Sequence, residues 1–180
     1  MKMASLLLAL SITGLQKANG MSSGDVHCNS ATSIWEHLPR ASKVLGDPDP
    51  EIRVRNTMCL EKFGIDAAPI LIKALSDKHW AERALAANML AGFGAEAHKA
   101  IPALVKIAND PEVLVRRAVL DAILVIDPKS EYFKKTLPVF RQALRDSDKE
   151  VSRRGSAGLL KISRNQPEEF KKTGISITTR

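Results

Sequence analysis

Hydrophobic and polar positions recur along the chain with the spacing of helices. The run ALVKIAND, which follows Pro102, places Leu104, Ile107 and Ala108 on one side, as in an amphipathic helix. A later run has a similar apolar side, formed by Val119, Leu120, Ile123 and Ile126. Period-two alternation with hairpin dipeptides, which marks strands, is nearly absent. The pattern therefore predicts pairs of helices and no sheet.

A proline marks each of four repeating units. An aspartate stands eight positions after each proline, and an arginine stands six positions after three of the four aspartates. Successive prolines are 30, 33 and 36 positions apart, so only the connection before each proline changes in length. In the fourth unit Ser152 takes the place of the arginine, with Arg153 and Arg154 beside it. The prolines are Pro39, Pro69, Pro102 and Pro138, and the aspartates are Asp47, Asp77, Asp110 and Asp146.

The repeat predicts one all-α solenoid of about four helix pairs. A pair of about 33 residues cannot bury both of its apolar faces alone, so neighbouring pairs must stack into a continuous core. We expect each second helix to begin after the aspartate, which can cap its N-terminus, and Gly64 and Gly94 to end two of these helices. The solenoid is predicted over residues 33–163, with units at about 33–64, 65–94, 95–127 and 128–163, followed by a C-terminal cap and tail at 164–180.

The first twenty residues have the pattern of a signal peptide. Lys2 precedes an apolar run from Met3 to Leu15, and small residues follow at Ala18 and Gly20, as in segments that are cleaved on export. The run is short for a membrane span, so no integral span is expected in the mature chain. We therefore expect a periplasmic or secreted protein in which residues 21–32 form an N-terminal extension. Translation from Met21 would instead leave the protein in the cytoplasm.

Charge is distributed unevenly along the chain. Residues 21–128 contain 12 basic and 14 acidic residues, whereas residues 129–180 contain 13 basic and 6 acidic residues, a net charge of +7. A basic segment raises the hypothesis of nucleic-acid binding. The export signal and an aromatic content of only 4% argue against it, because single strands are bound largely by stacking on aromatic side chains.

No pattern of catalytic or cofactor-binding residues is present. The four histidines lack the spacing of metal ligands, and no glycine-rich phosphate loop or nucleophile elbow is found. We therefore expect neither a catalytic site nor a metal or cofactor. Cys28 and Cys59 admit two interpretations: a disulfide in an exported protein, or a small buried apolar residue at Cys59.

The units resemble HEAT repeats of the short bacterial type found in phycobilisome lyases. The segment AIPALVKIANDPEVLVRRAVLDAILVID, from Ala100 to Asp127, carries the likeness most clearly. The resemblance implies a right-handed α-solenoid. It also implies a ladder of hydrogen bonds between neighbouring repeats, formed by Asp47 with Arg53, Asp77 with Arg83, and Asp110 with Arg116.

The resemblance further implies that the second helices line a concave face. Residues of those helices that point away from the core are the candidate partner-binding residues: Met58, Leu85, Asn88, Arg117, Asp121, Leu124, Arg153, Arg154 and Leu160. Apolar side chains mixed with arginines are typical of protein interfaces. We also expect Arg117, Arg153, Arg154 and Lys161 to form one positive strip.

These observations favour a non-catalytic module that binds a protein or peptide, or acts as a scaffold, through its concave face. Two alternatives come from other classes of function. One is nucleic-acid binding through the basic C-terminal third. The other is a lyase-type HEAT enzyme, or a subunit of one, which rests on the shared repeat alone and therefore on analogy of fold.

Overall fold

The computed structural model describes Asp49, Glu51 and residues 60–176. This part of the chain is helical and contains no strand, which confirms the predicted all-α solenoid. Two 3₁₀ segments, Glu61–Ala67 and Gly94–Ala100, lead into the first two α-helical pairs. The α-helices are α1 (Ala68–Ala74), α2 (Trp80–Gly92), α3 (Ile101–Lys106), α4 (Val113–Ile126), α5 (Phe133–Ala143), α6 (Lys149–Asn165) and α7 (Pro167–Lys171).

The helices stack as pairs, α1 with α2, α3 with α4, and α5 with α6. The second helices form one layer, because α4 packs against both α2 and α6. The first helices lie on the other side of this layer, where α3 contacts α5. The short helix α7 packs on α6 and buries Phe170, so it covers the last unit.

The repeating prolines have two different places in these helices. Pro69 and Pro102 lie in the first turn of α1 and α3, where the missing backbone N–H would have no helical partner. Pro138, by contrast, lies inside α5. The first helix of the fourth unit therefore starts well before its proline. Because proline has no backbone N–H, Pro138 donates no hydrogen bond to the preceding turn.

The three described repeat aspartates do not cap the second helices directly, although the sequence had indicated that they could. The N-cap residues are His79, Glu112 and Asp148. Each of these three aspartates instead accepts a hydrogen bond from the backbone N–H two residues later: Asp77 from His79, Asp110 from Glu112, and Asp146 from Asp148. The aspartates thus form Asx turns that set the direction of the chain entering each helix.

The core follows the repeat. Leu90, Ile123 and Leu159 occupy equivalent positions in α2, α4 and α6, and all three are buried. They belong to one apolar cluster that continues from Leu60 to Phe170. A continuous core of this kind is what stacked helix pairs require, because no single pair can cover its own apolar surface.

Two glycines and one serine in the connections have a positive φ. Gly64 and Gly94 have φ values of +57° and +58°, a region that glycine adopts without steric penalty. Ser130 has a φ of +57° and stands eight positions before Pro138, as Gly94 does before Pro102. Its side chain accepts a hydrogen bond from the Asn165 amide of α6 at 3.2 Å.

Gly158 is required by the packing of α5 on α6. A Cβ atom at this position would overlap the Phe140 ring, so we expect Gly158→Ala to lower the free energy of unfolding by about 1–3 kcal/mol. At Gly92, also helical, an added Cβ meets no atom within 4 Å. Gly92→Ala should therefore leave stability unchanged or raise it by up to about 1 kcal/mol. Urea denaturation of both variants is the measurement, and equal effects would contradict the assigned packing.

Several predictions lie outside the described residues. These are the signal peptide at 1–20, the extension at 21–32 and most of the first unit, with Asp47, Arg53, Met58 and both cysteines, Cys28 and Cys59. Within the part that is described, no helix is both long and apolar enough to cross a membrane.

Candidate functional site

Arginine–aspartate contacts join consecutive units. Arg83 donates two hydrogen bonds to the Asp110 carboxylate of the next unit, at 2.6 and 2.8 Å, and a third to the Asp77 carbonyl of its own unit, at 2.8 Å. Arg116 repeats the arrangement with the Asp146 carboxylate, at 2.7 and 2.9 Å, and with the Asp110 carbonyl, at 2.9 Å. Each arginine therefore joins the turn of its own unit to the turn of the unit that follows.

These aspartates are held in the charged form. Burial tends to raise the pKa of Asp110, but hydrogen bonds from Arg83 and from the Glu112 backbone outweigh it and lower the pKa below its usual value. The hydrogen bonds from Arg116 are the largest influence on Asp146 and lower its pKa as well. Two charge-assisted bonds in a fork geometry contribute to the lowering of both pKa values.

The ladder ends in the fourth unit. Ser152, at the arginine position, donates its hydroxyl hydrogen to the Leu144 carbonyl at 3.0 Å. The neighbouring arginines do not replace the missing contact: Arg153 binds Glu150 at 2.6 Å, and Arg154 binds Asp121 of the preceding unit at 2.7 Å. The described part of the chain therefore contains two complete rungs, Arg83–Asp110 and Arg116–Asp146.

The solvent-facing side of α2, α4 and α6, here called the second-helix face, carries a second set of ion pairs. Arg117 of α4 binds Asp148 at the start of α6, with its Nε 3.0 Å from a carboxylate oxygen. Arg154 of α6 binds Asp121 of α4 and also Glu150 of its own helix, at 3.1 Å. The predicted positive strip is thus largely neutralised, because acidic side chains of α4 and α6 pair with its arginines.

Lys161 completes this face from the far end of α6. Its ammonium group donates a hydrogen bond to the Leu124 carbonyl, in the last turn of α4, where carbonyls have no partner within the helix. Partial burial lowers the pKa of Lys161 from its usual value. The lysine therefore caps α4 and is less available to a ligand than the sequence indicated.

The Asp148 carboxylate makes stability depend on pH. Hydrogen bonds from Arg117 and from the Val151 backbone lower its pKa to about 2 from an ordinary 3.8. A carboxyl group with a lower pKa in the folded state stabilises the fold fully above its unfolded pKa, and this contribution is lost as pH falls through the folded pKa. We expect the free energy of unfolding to fall between about pH 4 and pH 2, and Asp148→Asn to flatten that fall.

Urea denaturation at a series of pH values measures the effect of Asp148→Asn. Glu168→Gln is the control, because the Glu168 side chain is 77% exposed and lies on α7. Profiles for wild type and Asp148→Asn that run parallel through this range would contradict the expectation.

Apolar side chains are exposed on the second-helix face. Leu114 and Val125, near the two ends of α4, are 47% and 50% exposed, and Trp80 in the first turn of α2 is 43% exposed. Leu114 and Val125 are eleven positions apart, which is close to three full turns, so they lie on the same side of α4 about 16 Å apart. Leu114 and Val125 are therefore the two exposed apolar side chains that this side of α4 offers for contact.

The predicted binding residues differ in their exposure. Asn88 and Arg153 are exposed, whereas Leu85, Arg117, Asp121, Leu124, Arg154 and Leu160 are partly buried. Leu114 and Val125 are not among the residues predicted from the sequence, although both lie on the same helical side as Asp121. Glu82 was not predicted either; it is buried at the position held by Val115 and Val151 in the next two units.

The described histidines, His79 and His98, each contact a neighbouring side chain. Within the described part of the chain, no group of three or more His, Cys, Asp or Glu side chains is placed to hold a metal ion. His79 is bonded to Asp77, at 3.1 Å, and His98 stacks on Tyr132. The described second helices present a face of exposed apolar groups and internally paired charges.

Comparison with known families agrees with the repeat. A family model described as HEAT repeats matches residues 38–124. The match ends within α4, but the Arg116–Asp146 contact shows that the same repeat continues into α5 and α6. No curated protein matches the chain. HEAT repeats generally mediate protein interactions. Family match and repeated contacts together show that this chain carries HEAT repeats.

Proposed function

We propose that the protein is a non-catalytic binding or scaffolding module that works outside the cytoplasm and holds a protein or peptide on its second-helix face. The exposure of Leu114 and Val125 on one side of α4 is the observation that carries this proposal. Apolar anchors that lose contact with water supply most of the affinity in protein interfaces.

The ion pairs around these anchors support the same function. Arg117 and Arg154 are each held by an aspartate of a neighbouring helix, so their side chains are ordered before a partner arrives. A partner that covers them does not leave an unpaired charge buried, which is the costly case. Ordering in advance also reduces the entropy lost on binding.

Affinity capture with the full mature chain tests the proposed face. Wild type, Leu114→Glu and Val125→Glu would each be immobilised and exposed to an extracytoplasmic fraction. The captured proteins would be identified by quantitative mass spectrometry, and the affinity of each purified partner for the three proteins would then be measured. We expect each variant to weaken binding of the partner by about tenfold or more, since a charge replaces an apolar anchor.

Leu144→Glu is the matched control. Leu144 is 38% exposed but follows α5, away from the second-helix face, so this variant should bind as wild type does. A partner that is retained equally by all of the variants would overturn the proposal.

Export is proposed from the leader pattern alone. We expect the mature protein to begin near Met21, which intact-mass measurement of the exported material determines. Exported protein that retains Met1 to Gly20 would contradict this part of the proposal.

A further inference from the structure

A cleft of about 680 Å³ lies beside α5, between that helix and the turn that follows α3. Asn109 lines it from the turn after α3, and Leu137, Pro138, Arg141 and Gln142 line it from α5. None of the residues that carry the second-helix face lines this cleft. It is therefore a separate surface, formed where the third unit meets the fourth.

The cleft is cationic. Its charged lining consists of Arg116, Arg141, Arg145 and Asp146. Arg116 and Asp146 neutralise each other in the ladder contact, whereas Arg141 and Arg145 are exposed and form no ion pair with any described residue. Two guanidinium groups are thus available to an anionic ligand, and guanidinium groups bind carboxylates in a fork geometry.

Two side-chain amides bridge the cleft. The Asn109 amide nitrogen donates a hydrogen bond to the Gln142 side-chain oxygen at 3.1 Å. This leaves the Asn109 oxygen as an acceptor and the Gln142 nitrogen as a donor. If the oxygen and nitrogen positions of both amides are interchanged, the pair still leaves one acceptor and one donor free to bind a ligand. The pair therefore offers the two complementary groups that a peptide backbone can bind.

Apart from Ser147, the remaining lining is apolar. Leu137 is partly buried and Pro138 is exposed, and both border the cleft. Pro138 lies inside α5, one turn before Arg141 and Gln142. An apolar side chain of a ligand would find contacts at this point, next to the two arginines.

We propose that this cleft binds an acidic peptide segment of a partner protein, with carboxylates on Arg141 and Arg145 and an apolar side chain against Leu137 and Pro138. The mixed lining favours a peptide over nucleic acid, because no aromatic side chain lines the cleft and bases are held largely by stacking. The site uses different residues from the second-helix face and does not depend on it.

Fluorescence anisotropy with the full mature chain tests the cleft. The probes are four labelled peptides in which one Leu, Ile, Phe or Trp is flanked on both sides by Asp and Glu, together with their Asn and Gln counterparts and a short oligothymidylate. We expect saturable binding of at least one acidic peptide at physiological salt, with the Asn and Gln counterpart weaker by about tenfold. The Arg141→Glu, Arg145→Glu double variant should weaken the acidic peptide by at least about tenfold.

The Lys73→Glu, Arg164→Glu double variant is the control for net charge. Both residues are exposed and neither lines the cleft, so it should bind the peptide nearly as wild type does. If both double variants weakened binding equally, the acidic peptide would be held by general electrostatic attraction and not by the cleft, and the proposal would be overturned. Failure of all four acidic peptides to saturate, or tighter binding of the oligothymidylate, would overturn it as well.

Discussion

Replacing Ile123 with alanine is expected to lower the free energy of unfolding by about 2–4 kcal/mol. The side chain is 1% exposed and lies in the last turn of α4, a helix that packs against both α2 and α6. Truncation leaves a cavity that three helices cannot all move to fill, so the lost contacts add to the lost hydrophobic transfer energy. Equilibrium denaturation in urea, followed by circular dichroism, measures the change.

Val125→Ala provides a control in the same helix. Its side chain is 50% exposed, so truncation should change the free energy of unfolding by no more than about 0.5 kcal/mol. A loss below about 1 kcal/mol for Ile123→Ala, or equal losses at the two positions, would show that the assigned helical register is wrong.

The sequence predicted the register of the second helices well, because burial within a helix is set by local spacing. Leu90, Ile123 and Leu159 stand seven positions after the arginine position of their repeats, which is held by Arg83, Arg116 and Ser152. All three are buried. Helix starts were harder to predict. An aspartate near a helix start can act as an N-cap or form an Asx turn just ahead of it, and these differ by only two or three positions.

Pro138 shows another limit of the sequence pattern. A proline is tolerated in the first turn of a helix and, at some loss of stability, inside one. The equal spacing of Pro138 and its counterparts from their aspartates therefore did not reveal that α5 begins at Phe133. The stretch from Ser130 to Pro138 has the same length as that from Gly94 to Pro102, yet the earlier stretch forms the 3₁₀ segment before α3 and the later one includes the first turn of α5.

The charges of the candidate face could be located from sequence only in part. Whether Arg117 is available to a partner depends on how α6 is placed beside α4, because its partner Asp148 lies 31 positions away. The same is true of Arg154 and Asp121, which are 33 positions apart. A signal was nevertheless present: oppositely charged residues separated by about one repeat length are the natural candidates for contacts between units.

The basic residues of the C-terminal third lie on two different surfaces, which the net charge of that segment does not distinguish. The basic excess of residues 129–180 includes Arg153 and Arg154, which are paired with acids on the second-helix face. It also includes Arg141 and Arg145, which border the cleft beside α5. Arg141 and Arg145 thus lie on the side of the first helices, whereas the exposed apolar groups of α4 lie among the second helices.

Breaking one rung of the ladder, by Asp110→Ala, is expected to lower the free energy of unfolding by about 3 kcal/mol. The side chains of Arg83 and Asp110 are only 13% and 6% exposed. Removing the carboxylate leaves the guanidinium group poorly hydrated and without its partner, and it also removes the acceptor of the Glu112 backbone N–H. Urea denaturation measures the loss.

A double-mutant cycle measures the interaction energy between Arg83 and Asp110 separately from the other effects of each substitution. Arg83→Ala combined with Asp110→Ala should cost less than the sum of the two single changes, because the double variant leaves no unpaired charge buried. The exposed pair supplies the comparison: Arg153 is 72% exposed and Glu150 is 45% exposed, so Arg153→Ala should cost no more than about 0.5 kcal/mol. Strictly additive losses at Arg83 and Asp110 would show that the rung does not couple the second and third units, and the ladder would then contribute to the shape of the turns alone.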